Sequence, residues 1–265
     1  YDDIYLSSIK FTDFLLLSFE AIYQRIIKQN IQDPALKKLI HTLESIISVG
    51  LGYLSLSRSI PSLSGGELQK LNFSKLLTSD ISQILIVIDE ISSQVHVSDY
   101  EKIILGLQKI RDRGNSILLV EHNPYFIKRS EHVYWIGPKA GAQGGYLVDE
   151  TKSNDNSLAM NRVSKSTEFI HFNNIVMHNV QGINLSIPTN RISVLVGKSG
   201  AGKSSIAKFI KDSFKDVEYI SQELIRGNIR STVASYLEVN SVIANWYSKS
   251  FNIDSDFFFP SSGKP

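Results

Sequence analysis

Ile192-Ser193-Val194-Leu195-Val196-Gly197-Lys198-Ser199-Gly200-Ala201-Gly202-Lys203-Ser204 decides the fold. Its first five residues read as a buried strand. The next eight match G-x-x-x-x-G-K-[ST] in full, and a helical pattern follows. Glycines let consecutive backbone N–H groups turn inward and cradle phosphate oxygens, and the next helix adds the positive end of its dipole. The expected phosphate contacts are Gly197, Ser199, Gly200, Gly202, Lys203, Ser204 and Ser205. Lys203 is expected on the β- and γ-phosphates, and the Ser204 hydroxyl on Mg²⁺. The plain alternative is a glycine-rich turn that binds nothing, and the strand before and helix after argue against it.

Upstream, Ile84–Ile88 is a continuous apolar run closed by Asp89-Glu90, and Ser116–Val120 is another, closed by Glu121-His122. Such runs fit strands buried on both faces of a parallel sheet. Tyr100–Arg113 lies between them as an amphipathic helix stopped by Gly114. Residues 9 to 49 read as helices, with Pro34 just inside a helix start and an apolar stripe at Leu36, Leu39, Ile40, Leu43, Ile46 and Ile47. Leu63-Ser64-Gly65-Gly66-Glu67 opens a further helix over about Leu68–Leu77. Alone, each motif has an ordinary reading: Ser64 as a helix cap, Asp89-Glu90 as a solvated turn, His122 as a hydrogen-bonded side chain.

In order they form a more specific set. The series resembles the ABC-type ATPases, with a signature loop, a Walker B strand with its glutamate, and a switch histidine. The resemblance implies that Asp89 holds the Mg²⁺ shell, Glu90 orients or deprotonates the attacking water, and His122 contacts the γ-phosphate. It implies that Ser64, Gly65 and Gly66 face the γ-phosphate of a nucleotide on an opposing P-loop. The order differs from that of one ABC domain, since signature, Walker B and histidine precede the P-loop. The chain therefore reads as the back of one nucleotide-binding half (1–150), a polar linker (151–167) and the front of a second half (168–265). The opening at Tyr1 fits a fragment. On this reading Asp89, Glu90 and His122 lack their P-loop, and the P-loop lacks its own Walker B, so the chain binds ATP with little turnover.

Several segments resemble one branch, the UvrA family of bacterial excinuclease proteins. They are Val49-Gly50-Leu51-Gly52-Tyr53-Leu54-Ser55-Leu56 with Arg58-Ser59, Arg111-Asp112-Arg113-Gly114-Asn115, Val120-Glu121-His122-Asn123, and Ile136-Gly137-Pro138-Lys139-Ala140-Gly141 with Gly144-Gly145. Gln222, Arg230-Ser231 and Tyr236 fit the family's second Q-loop, which implies Gln222 on Mg²⁺ or the lytic water. The resemblance spans about residues 45–245. Departures are Ile91 where the family has proline after the glutamate, a shorter interval from Ser204 to Gln222, and no cysteine for the family's zinc modules.

The resemblance implies an α/β P-loop NTPase of ABC-ATPase type with a helical signature region and a small antiparallel β subdomain. It further implies a cytoplasmic ATPase that uses ATP and Mg²⁺, dimerises, binds damaged duplex DNA and works with other excinuclease subunits. Alternatives are a UvrA-like paralogue in drug resistance or a transporter's motor subunit. Composition is compatible with each. The 265 residues are 42% hydrophobic and 20% charged, which excludes a disordered or collagen-like chain. The net charge of +2 leaves room only for a local basic surface, with Lys70, Lys75, Arg111, Arg113 and the stretch from Arg226 to Arg230 as candidates. Without cysteine there are no disulfides or thiolate metal sites, and no apolar run approaches a membrane span.

Overall fold

In a computed structural model the fold is described for residues 5–6, 9–28, 34–148, 168–197, 200–220, 232–252 and 254–255. In chain order β1 (Tyr5–Leu6), β2 (Ile9–Lys10), α1 (Phe11–Leu16), α2 (Phe19–Ile26), α3 (Pro34–Ser48) and α4 (Gly65–Thr78) come first. There follow β3 (Leu85–Asp89), α5 (Tyr100–Asp112), β4 (Ser116–Val120), α6 (Pro124–Ile127), β5 (His132–Gly137) and β6 (Tyr146–Val148). The remainder is β7 (Phe169–Met177), β8 (Val180–Pro188), β9 (Ile192–Val196), α7 (Lys203–Ser213), β10 (Val217–Ile220), α8 (Val233–Tyr236) and α9 (Asn240–Phe251). These elements form two compact units, 1–79 with 224–265, and 80–223. The expected linker, 151–167, lies outside the described residues.

The unit 80–223 is built on the apolar runs. Its sheet has the order β10-β3-β4-β9-β5-β6, with β6 the antiparallel member. β4 and β9 are buried at every position, as strands covered on both faces must be. The register sets Asp89 beside Val120 and Val120 beside Leu195. β7 and β8 pair as an antiparallel hairpin. Phe172 and Ile175 of β7, with Val180, Ile183, Leu185 and Ile187 of β8, share one core with Ile206, Ala207 and Ile210 of α7. Burying each such side chain contributes about 1.5–3 kcal/mol, so the hairpin fixes the helix that starts at Lys203.

In the other unit α3 begins at Pro34 as its sequence predicts, and buries Leu36, Leu39, Leu43 and Ile46 at helical spacing. Phe14 meets Tyr247 of α9 edge-on at 5.6 Å between ring centroids. α4 begins three residues before the expected Leu68 because Ser64 is its cap. Its hydroxyl accepts from Glu67 N at 3.3 Å, while the Glu67 carboxylate accepts from Ser64 N at 2.7 Å. Among the described residues no helix is long and apolar enough to cross a membrane.

Candidate nucleotide site

The site grows from the ends of three parallel strands. β9 ends at Val196 and leads into Gly197, whose added Cβ would lie 2.1 Å from the Ile136 carbonyl oxygen, so a side chain has no room there. Gly200 and Gly202 take φ of 75° and 103°, in the region that favours glycine. α7 then starts at Lys203. Backbone and side-chain bonds hold the loop from one side. Gly141 N donates to Gly200 O at 3.0 Å, and Gly145 N to Ala201 O at 2.8 Å. The Asn179 amide, at the β7–β8 turn, donates to both Gly141 O and Gly200 O at 3.1 Å. His178 Nδ1 lies 3.3 Å from the Ser205 hydroxyl.

Lys203 is 7% exposed, and its ammonium donates to Gly197 O at 2.9 Å. Burial pulls its pKa below the ordinary lysine value, against the opposing charges of Glu90, Asp89 and Glu121. Ser204 Oγ donates to Asp89 Oδ1 at 3.4 Å, and Tyr219 donates to Asp89 Oδ2 at 3.4 Å. Burial raises the Asp89 carboxyl above the usual carboxylate range, the Ser204 bond opposes this, and the Glu90 charge adds to it. Glu90 adopts φ of 49°, uncommon for a side-chain-bearing residue, while its N–H donates to Val120 O at 2.8 Å. One carboxylate and one hydroxyl form the oxygen donor pair that suits Mg²⁺, which keeps waters and takes its remaining ligands from phosphates. The described residues hold no cluster of three or more His, Cys, Asp or Glu side chains that would build an all-protein metal cage.

This geometry corrects one expectation. The chain order separates the P-loop from Asp89 and Glu90, yet β9 inserts between β4 and β5 in the same sheet, and the hydroxyl of Ser204 reaches Asp89. Parallel strands are ordered by crossovers, so neighbours in space need not be neighbours in sequence. His122 follows β4 after Glu121 and is exposed. Ser64, Gly65 and Gly66 open α4 in the other unit. Ser199 and Gln222 lie outside the described residues. Among the basic candidates, Arg111 is engaged by Asp112 at 2.7 Å and Glu131 at 2.9 Å, and Lys75 by Glu238 at 3.2 Å. These cations brace their own unit.

Sequence reasoning gave no role to Glu121, Asn179 or His178. Glu121 is fully buried, and its carboxylate accepts from Ser92 N at 2.7 Å, Ser92 Oγ at 3.0 Å, His122 N at 3.0 Å and Asn123 N at 3.2 Å. Only its place directly after an apolar strand hinted at this. A buried carboxylate needs such donors, and they come from loops far apart in sequence.

A buried strand, a P-loop opening a helix, and a strand-end aspartate within reach of the P-loop serine form the core of the P-loop NTPase fold. No family model matches the chain. It is 34% identical to UvrABC system protein A of Aquifex aeolicus over 87% of the chain, and 33% identical to that of Vibrio parahaemolyticus over 71%. The crystal structure of UvrA2 from Deinococcus radiodurans overlays on 80% of the chain with a TM-score of 0.52 at 23% identity, a likeness of fold. The chain belongs to the UvrA family. It spans 30% of the length of the Aquifex protein and 22% of the Vibrio protein.

Proposed function

We propose that this chain binds ATP with Mg²⁺ at Gly197, Gly200, Gly202, Lys203, Ser204 and Ser205. The observation that carries the reading is the meeting of Lys203, Ser204 and Asp89 at one strand end, with Ser204 Oγ 3.4 Å from Asp89. Lys203 compensates phosphate charge, and Asp89 and Ser204 hold the cation. Bound Mg²⁺ supplies charge neutralisation between the phosphates. Glu90 orients or deprotonates water, and His122 contacts the γ-phosphate. Ser199 and Gln222 keep their proposed places, at the phosphates and at the cation or water. Ser64, Gly65 and Gly66 complete a facing P-loop, so turnover by this chain alone is slow.

The whole protein is proposed to be an ATPase that recognises damaged duplex DNA in nucleotide excision repair. It would act in the cytoplasm as a homodimer, with other excinuclease subunits. Residues 1–150 and 168–265 then descend from consecutive ABC halves. Support comes from relatives named for the UvrABC system over most of this chain. Those named relatives lend nothing to the resistance or transporter readings. The test titrates matched damaged and undamaged duplexes onto the complete protein, with and without ATP, at two salt concentrations. An ATP-dependent preference for the damaged duplex is the expected result. Salt-sensitive binding without preference, or no binding, counts against the repair reading.

A further inference from the structure

The side chain of Glu121 bonds both the turn after Asp89-Glu90 and the loop that carries His122. Glu121 leaves the end of β4, and its own N–H donates to Leu195 O of the P-loop strand at 3.1 Å. Its carboxylate is fully buried, and among the described residues its donors come from the two loops. Oε1 takes Ser92 N, while Oε2 takes Ser92 Oγ, His122 N and Asn123 N. Buried carboxylate oxygens satisfied in this way bind strongly and tolerate little displacement of their donors. A shift of His122 by one hydrogen-bond length must therefore move Ser92 or leave a buried charge short of donors.

We propose that Glu121 is a positioning residue that passes the nucleotide-dependent placement of His122 to the turn at 91–96. The proposal rests on the nucleotide reading of the P-loop and on the proposed contact of His122 with the γ-phosphate. Asn123 extends the path, since its side-chain amide donates to Tyr100 Oη at 2.9 Å and its Oδ1 accepts from Tyr125 N at 3.0 Å. The first turns of α5 and α6 are thereby tied to the same loop. The turn at 91–96 is short and self-bonded, with Ser93 N on Glu90 O at 3.0 Å and Val95 N on Ser92 O at 3.3 Å. It therefore moves as a piece when Ser92 moves.

The test is hydrogen exchange of the chain with and without a non-hydrolysable ATP analogue and Mg²⁺, in wild type and Glu121→Gln. The amide keeps one acceptor oxygen and loses the other. Exchange at Ser92, His122 and Asn123 in the variant is expected to be faster by about tenfold, the weight of a charge-assisted bond. In wild type the analogue slows exchange at the P-loop, at 121–123 and at 91–96. In Glu121→Gln the first two responses persist and the third is lost. A full response at 91–96 in the variant overturns the proposal while leaving the nucleotide reading intact. No response at the wild-type P-loop overturns the nucleotide reading and the proposal with it. Ser92→Ala removes one donor and keeps the carboxylate, so it guards against a Glu121→Gln chain that does not fold. It is expected to shrink the 91–96 response by about half, and an undiminished response overturns the proposal.

Discussion

Lys203 carries the clearest chemistry at the scale of single residues. In the proposed site its ammonium would make a charge-assisted contact to phosphate, and such contacts are worth about 2–3 kcal/mol. Lys203→Ala is expected to weaken ATP binding by about 30- to 150-fold, read by calorimetry, and unchanged affinity sinks the assignment. Glu90 has a different signature. Glu90→Gln is expected to leave ATP affinity within a factor of about two and to slow whatever turnover the chain shows by about 10²-fold or more. A variant with the parent rate removes Glu90 from the reaction. Both residues are legible in sequence because each belongs to a contiguous motif with a fixed neighbour. Glu121 is not, because nothing local to Val120-Glu121-His122 says that Ser92 will fold onto it.

At the scale of elements, the P-loop depends on the strap formed by 139–145 and the β7–β8 turn. Gly145 has φ of 81°, and a Cβ there would lie 2.0 Å from the Asn179 carbonyl oxygen. Gly141 has φ of 63° with open space around it. Gly145→Ala should therefore cost about 2–4 kcal/mol of stability and Gly141→Ala about 1. Denaturant titration of both variants checks this, and equal losses contradict the strap. β5 offers a pH test. The Tyr134 hydroxyl donates to Ser186 O of β8, and burial pushes its pKa up to about 12. The unfolded phenol ionises near 10. Between those values the unfolded state sheds a proton that the folded state keeps, so this contribution is present below pH 10 and fades as pH rises toward 12. Tyr134→Phe should flatten the alkaline limb of the stability profile, and an unchanged limb rejects the burial argument. The elements themselves were readable. β9 spans Ile192–Val196 and α5 spans Tyr100–Asp112, each within a residue of the sequence pattern. β5, β6 and β10 carry no such pattern. β10 and most of β5 are only partly buried, so their apolar residues do not form the unbroken run that marks β4.

For the whole molecule, nucleotide binding should stabilise the unit 80–223 in proportion to its occupancy. At a nucleotide concentration of 100 times Kd the gain is about 2.7 kcal/mol. It should appear as slower hydrogen exchange in β9 and α7, and exchange unaffected there at saturating nucleotide contradicts the site. By itself the sequence determined the local pieces: the P-loop, the strand-end acids, the capped helix α4 and the family. Each is set by backbone conformation, capping or burial within some five to fifteen neighbouring residues. The tertiary structure decided what those pieces do together. It inserted β9 between β4 and β5, brought Ser204 within 3.4 Å of Asp89, and closed four donors on Glu121. Those outcomes follow from long-range strand pairing and from the cost of an unpaired buried charge, and neither is written in any local stretch of chain.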